Sequence, residues 1–362
     1  MPRQILVPLD GSRLAEKALP HAVALARATD SGLTLLQVVS TPQAANPLAW
    51  GVPVVSITSD LREVMLESAH EYLRSVTLRL DGEGMELQEE VLEGDAAEAI
   101  IMYAEQQSEV GMIVMATRGR SGLTRWVLGS VAEKVLEASP VPLALIRPQV
   151  GSENQADVDA SGFGRQALPR IPTYGTILVP LDFSVLAEEA LVQAMVLAAA
   201  TGATLLLVSV LPLPDAIELP IPPRLTPDGE EDNAETGSLL PPRQSVAQAL
   251  QDVHDREEQA LNQYLASVAH RVEEAGAARI EVRTQVLLGD AAKEILQSGW
   301  KGGADLIVMS TRGRGGLARL WPGSVAMNVA REAAVPVLLV HDKVARQLEE
   351  PGERGGQEGR SS

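Results

Sequence analysis

Cysteine is absent from the 362-residue chain, which excludes disulfides, zinc–thiolate sites and a thiol nucleophile. Aromatic residues make up only 3% of it, so its cores must be aliphatic. Abundant Ala and Leu suit helices packed on a Val/Ile-rich sheet. Basic residues are also short: 30 Lys and Arg stand against 48 Asp and Glu, leaving a formal charge of −18. A uniformly basic surface is thereby excluded, and no nucleic-acid partner is expected. Any local cluster of arginine then needs a reason. No apolar run approaches the ~18 residues that span a bilayer. Met1-Pro2-Arg3-Gln4 leads directly into an apolar strand, with no long apolar leader and no cleavage site. A soluble, cytoplasmic protein with no membrane partner is the expectation.

What the chain does contain is a repeat. Ile5-Leu6-Val7-Pro8-Leu9-Asp10 returns as Ile177-Leu178-Val179-Pro180-Leu181-Asp182, and Leu33-Thr34-Leu35-Leu36-Gln37-Val38 is matched to Ala203-Thr204-Leu205-Leu206-Leu207-Val208. Gly94-Asp95-Ala96-Ala97 returns as Gly289-Asp290-Ala291-Ala292. Ile113 to Arg120 returns as Ile307 to Arg314, and Gly129-Ser130-Val131-Ala132 as Gly323-Ser324-Val325-Ala326. The period is that of a whole domain. Between the halves, roughly 149–174 is rich in Ser, Gly, Asp and Pro and reads as a flexible linker. The tail from about Val344 is poor in apolar residues and reads as disordered.

Within each half, apolar strands alternate with helically spaced Leu and Ala. Strands are expected at about 4–9, 33–39, 85–92, 111–116 and 141–147, and at 176–181, 203–210, 279–287, 305–310 and 335–341. Helices are expected at about 12–29, 60–80, after Asp95 and at 129–138, with counterparts at 184–200, 246–275, after Asp290 and at 323–332. Such alternation predicts a parallel sheet covered on both faces and doubly wound by right-handed crossovers. The second half adds a Pro-rich, acidic insertion at about Leu211–Arg243, read as irregular and as a candidate lid or partner segment.

Ligands of such sheets bind at the carboxyl ends of the strands, where strand order reverses. Two repeated loops are candidates: Pro8-Leu9-Asp10-Gly11-Ser12 with Pro180-Leu181-Asp182-Phe183-Ser184, and Ala116-Thr117-Arg118-Gly119-Arg120 through Gly129-Ser130 with Ser310 through Ser324. Glycine admits an anion close to the backbone, and a helix N-terminus favours negative charge. Arg118, Arg120 and Arg125 crowd one loop and Arg312, Arg314 and Arg319 its copy, the setting a polyphosphate requires. The competing reading of Ser130, with Glu133, is a helix N-cap in a capping box. Asp10 and Asp182 could accept hydrogen bonds from a ribose or an adenine amino group; judged alone, each reads as a cap of the first helix, shared with Ser12 or Ser184. Asp95 and Asp290 read as caps.

Each half resembles a universal stress protein domain, and the chain resembles a tandem member of that family. The marker is the family's ATP-binding pattern: Gly, two residues, Gly, nine residues, Gly, then Ser or Thr. Gly119, Gly129 and Ser130 match it, as do Gly313, Gly323 and Ser324, while Ala116 and Ser310 stand at its first glycine. The resemblance implies two tandem doubly wound, Rossmann-like five-stranded parallel sheets of strand order 3-2-1-4-5, of the adenine nucleotide alpha hydrolase-like kind. It implies domains at 1–148 and 175–343. It implies that Asp10 and the backbone of Val38, with Asp182 and Val208, hold the adenosine of ATP. It also implies pairing through strand five, within the chain or across a homodimer.

Catalytic signatures are missing. No GxxxxGK[ST], HExxH or GxSxG occurs, and His21, His70, His254, His270 and His341 show no metal-ligand spacing. No metal held by protein side chains is expected; Mg²⁺ would arrive with ATP. No enzyme is expected, since no residue is an obvious general base. The expected function is that of an ATP-responsive stress regulator. A nucleotide-free dimerisation protein, favoured by Ala116 and Ser310, is the alternative, and a slow ATPase a weaker one.

Overall fold

In a computed structural model, residues 4–40, 54–117, 128–147, 170–212, 243–275, 280–311 and 323–341 are described. The first half runs β1 (Gln4–Leu9), α1 (Arg13–Glu16), α2 (Leu19–Thr29), β2 (Gly32–Val39), α3 (Val54–Leu80), β3 (Leu87–Glu93), α4 (Ala96–Gln106), β4 (Val110–Ala116), α5 (Ser130–Ala138) and β5 (Leu143–Ile146). The second runs β6 (Thr176–Pro180), α6 (Val185–Thr201), β7 (Thr204–Leu211), α7 (Arg243–Glu274), β8 (Val282–Leu288), α8 (Ala291–Lys301), β9 (Leu306–Ser310), α9 (Ser324–Glu332) and β10 (Val337–Val340). The expected first helix, 12–29, is two helices: Pro20 lies at the start of α2, where its missing N–H costs nothing but cannot continue α1. Val192 occupies the matching place in the second half, and α6 is unbroken.

The strands β1 and β6 are buried on both faces because helices cover both. Ile5, Val7 and Leu9 face one side with α2, α3, α6 and α7, whereas Leu6 faces the other with α4, α5, α8 and α9. The repeat leads one to expect two sheets. They are joined into one, in the order β3-β2-β1-β4-β5-β10-β9-β6-β7-β8. All pairs within a half are parallel, and β5 pairs antiparallel with β10. Ala144, which matches Leu338 in the repeat, pairs with Leu338 itself, and Leu143 and Leu145 pair with Leu339 and Val337. The junction is therefore self-complementary about a local two-fold axis, as in an isologous dimer. Two open edges that are apolar on both faces cover each other.

The junction carries polar ties as well. Arg147 Nη1 donates to the carbonyls of Arg331, Glu332 and Ala333 at the end of α9, at 3.4, 3.0 and 3.4 Å. His341 Nε2 lies 2.8 Å from the Leu136 carbonyl of α5, and Arg331 pairs with Glu133 at 2.6 Å.

The structure corrects the repeat in β2. Asp30 ends α2 and Gly202 ends α6, both in the left-handed conformation. Downstream, Gly94 N–H donates to the Val39 carbonyl and Gly289 N–H to that of Leu211. Counted from either side, Val38 corresponds to Val210, and Val208 corresponds to Leu36. Pro8 pairs with Leu36 and Pro180 with Val208, in agreement. The match of Thr-Leu-Leu in the two strands is off by two residues. Such a slip returns every side chain to the same face, so the hydrophobic pattern does not register it.

Residues 148–169, 213–242 and 342–362, which hold most of the expected linker, insertion and tail, lie outside the described residues. The last linker residues do not fit the reading of a flexible tether. Tyr174 is buried in the core and its hydroxyl lies 3.0 Å from His21 Nδ1 of α2.

Candidate functional site

β1 and β4 are neighbours, so the segments that follow them emerge side by side at the carboxyl end of the sheet. The first segment turns on Asp10. Its Oδ1 accepts the Ser12 N–H at 3.0 Å, and Ser12 Oγ accepts the Ala15 N–H at 3.1 Å. Asp182 repeats this with Ser184 N–H and Oγ at 3.1 and 2.6 Å, and Ser184 caps Ala187. The serines are therefore the caps, and the aspartates fix the turn that precedes them. Gly11 adopts φ 78° in this turn, a conformation natural to glycine.

The second segment is pinned at its base. Thr117 N–H donates to the Ile146 carbonyl at 2.8 Å, and Gly129 N–H returns to the Thr117 carbonyl at 2.9 Å. Thr311, Val340 and Gly323 repeat both bonds. The predicted Arg118, Gly119, Arg120 and Arg125, and Arg312, Gly313, Arg314 and Arg319, lie outside the described residues, between these pinned ends. Ala116 and Ser310 end β4 and β9 and are buried.

The start of α5 differs from what a capping box demands. Gly129, not Ser130, is the N-cap, and no side chain caps it; Gly323 does the same for α9. Ser130 and Ser324 are the first helical residues and are exposed. By contrast α1, α4, α6 and α8 each begin on a Ser or Asp whose oxygen accepts a backbone N–H. The equivalent helices of both halves thus present first-turn N–H groups with no side-chain cap, the arrangement that receives an anion.

A polar triad that the sequence reading missed braces each site. Glu16 accepts from the Tyr72 hydroxyl at 3.1 Å and pairs with Arg79 at 2.8 Å. Glu188 does the same with Tyr264 at 3.1 Å and Arg271 at 3.0 Å. Burial, then Glu16, raises the Tyr72 pKa, and burial, then Glu188, raises that of Tyr264; the adjacent Asp10 and Asp182 add to this. The Arg271 hydrogen bond holds the Glu188 pKa below the ordinary range. The signal was present: Glu16 and Glu188 occupy the same place in the repeat, and each Tyr and Arg lie two turns apart on one helix face.

The halves differ at one position of the turn. Phe183 stands where the first half has Gly11, and it holds φ 66°, a left-handed conformation that costs a bulky residue about 1 kcal/mol or more. Its ring stacks on Tyr264 with centroids 4.1 Å apart. Such a pair contributes about 0.5–1.5 kcal/mol, enough to offset much of that strain.

Val38 is half-buried beyond Leu36 in β2. By the corrected register its counterpart is Val210, likewise half-buried, whereas Val208 is wholly buried within β7. Among the described residues no helix is long and apolar enough to cross a membrane.

The model of the Universal stress protein family matches residues 1–147 and 173–341. A universal stress protein of Methanocaldococcus jannaschii is 31% identical over 145 residues, which are 40% of this chain and 82% of that protein. One of Mycolicibacterium smegmatis is 26% identical over 341 residues, covering 94% of this chain and 97% of its relative. The crystal structure of a universal stress protein from Archaeoglobus fulgidus superposes with a TM-score of 0.57 at 23% identity, over 94% of this chain and 99% of that one.

Proposed function

The chain belongs to the universal stress protein family, and on that premise we propose that each half is an adenine-nucleotide site and the protein an ATP-responsive regulator rather than an enzyme. The observation that carries this reading is the repeated, uncapped glycine start of α5 and α9 at the carboxyl end of the sheet. A phosphate there would accept from the first-turn N–H groups that no side chain caps. Asp10 and Asp182, held in their turns by backbone bonds, supply acceptors for the adenosine. Val38 and Val210 offer backbone groups on the neighbouring strand. Arg118, Gly119 and Arg120, with Arg312, Gly313 and Arg314, would close over the phosphates. Mg²⁺ would be held through the phosphates.

One observation favours a second reading, a nucleotide-free interaction protein of the same fold. Ala116 and Ser310 each place a Cβ where the family's pattern has its first glycine.

Calorimetric titration with ATP and Mg²⁺ separates the two. We expect saturable binding of about one or two nucleotides per chain, weakened at least tenfold (~1.4 kcal/mol) in Gly119→Val with Gly313→Val at unchanged circular dichroism. No binding, with no nucleotide carried through purification, would establish the interaction protein instead.

A further inference from the structure

The joining of the halves creates a cleft of about 330 Å³ between the start of α2 and the segment that follows α9, at the opposite end of α9 from its glycine start. It is lined by Lys17, Arg147 and Arg170, with Asp305 as its one carboxylate. In a chain of formal charge −18, three cations against one anion are a reversal of the local balance. Asp305 is moreover occupied: its Oδ2 accepts the N–H groups of Gly175 and Thr176 at 2.8 and 3.0 Å. Lys17 and Arg170 form no ion pair with a carboxylate among the described residues. The walls are apolar or neutral, from Pro20, Ile146, Pro172, Val335 and the Tyr174–His21 pair. Burial lowers the His21 pKa to about 4, so that pair adds hydrogen-bonding atoms rather than charge near neutrality.

The internal repeat supplies a control for whether the fold itself demands these cations. Across the local two-fold axis, Lys17 is matched by Glu189 and Arg147 by His341. The same helix and strand-end positions carry an acid and an imidazole in the other half. The structural duty of Arg147, bonding the last carbonyls of α9 through Nη1, is performed on the other side by His341. At the Lys17 and Arg147 positions the positive charge is therefore a property of one cleft and not of the architecture, and Arg170, from the segment between the halves, has no counterpart.

We propose that this cleft is a second ligand site, separate from the nucleotide loops, that takes a small phosphorylated molecule with an apolar body. Its volume lies at the lower end of small-molecule pockets, roughly 300–1,000 Å³, which suits one phosphorylated group on a compact body. Lys17 and Arg170 would neutralise the phosphate dianion through charge-assisted hydrogen bonds, while Pro20, Ile146, Pro172 and Val335 receive the apolar part. Both halves contribute to the site, so its ligand would bind only where the β5–β10 junction is formed.

The probe is phenyl phosphate, titrated by equilibrium dialysis against the full chain. We expect one saturable site per chain. Its affinity should fall at least about tenfold in Lys17→Glu with Arg170→Gln, with thermal unfolding and the ATP titration unchanged. Arg147→His, which installs the side chain already tolerated across the axis, should weaken binding in the same direction. Binding should persist in Gly119→Val with Gly313→Val. The proposal fails if the wild-type chain does not bind the probe, if the cleft variants bind it as tightly as the wild type, or if only the loop variants lose it.

Discussion

At the scale of single residues, burial decides what each polar group contributes. His21 is held neutral down to about pH 4, below its ordinary 6.5, by burial. The unfolded chain then binds the extra proton between those values, so stability is complete above pH 6.5 and declines as pH falls toward 4. Wild-type protein is expected to lose about 3 kcal/mol more than His21→Gln between pH 7 and 4; equal losses in urea denaturation would refute the assignment. Gln193 holds the matching place in α6, so the substitution suits the fold. The two triads differ in the same way. Glu16 and Arg79 are 20% and 18% exposed, whereas Glu188 and Arg271 are 34% and 55% exposed. Glu16→Ala removes both the carboxylate that accepts from the buried Tyr72 hydroxyl and the partner of Arg79, and is expected to cost about 1–3 kcal/mol. Glu188→Ala, screened by solvent, should cost less than about 1 kcal/mol.

At the scale of elements, helix starts divide into those that a side chain caps and those that none caps. Asp95 Oδ1 accepts from Ala97 and Glu98 N–H, both at 3.1 Å, and these bonds hold its pKa below the ordinary range, the Glu98 amide foremost. Asp95→Ala is expected to cost about 1 kcal/mol. Ser130→Ala should change stability by less than about 0.5 kcal/mol, because Gly129 is the cap. A loss as large as that of Asp95→Ala would restore the capping box and weaken the anion reading. Among the strands, the two-residue offset in β2 moves the expected adenosine contact from Val208 to Val210. Fixing it required the helix end before the strand and the glycine turn after it.

At the scale of the whole molecule, β5 and β10 make one sheet out of two. Leu338 and Ala144 meet at the local axis and are fully buried. Leu338→Asp would place an unpaired carboxylate there and is expected to cost about 3 kcal/mol or more. The accompanying expectation is a larger radius of gyration by solution scattering, as the halves part. A variant as compact and stable as the wild type would show that the junction does not hold the halves together. The same variant should lose phenyl phosphate binding, since the cleft takes residues from both sides.

The sequence by itself determined the duplication, the alternation of strands and helices and the two repeated Gly/Arg segments proposed as phosphate loops. These are written in local periodicity and in glycines whose roles depend on their near neighbours. It left open whether Ser130 caps α5, because a serine before a helix reads alike at the cap and at the first helical residue. It could not align β2, where a slip of two leaves each side chain on its face. Only the tertiary structure decided that the two sheets are continuous, that Glu16 meets Tyr72 and Arg79, and that Lys17, Arg147 and Arg170 line one cleft. Those relations join residues far apart in the chain, and they exist only once two apolar strand edges have covered each other.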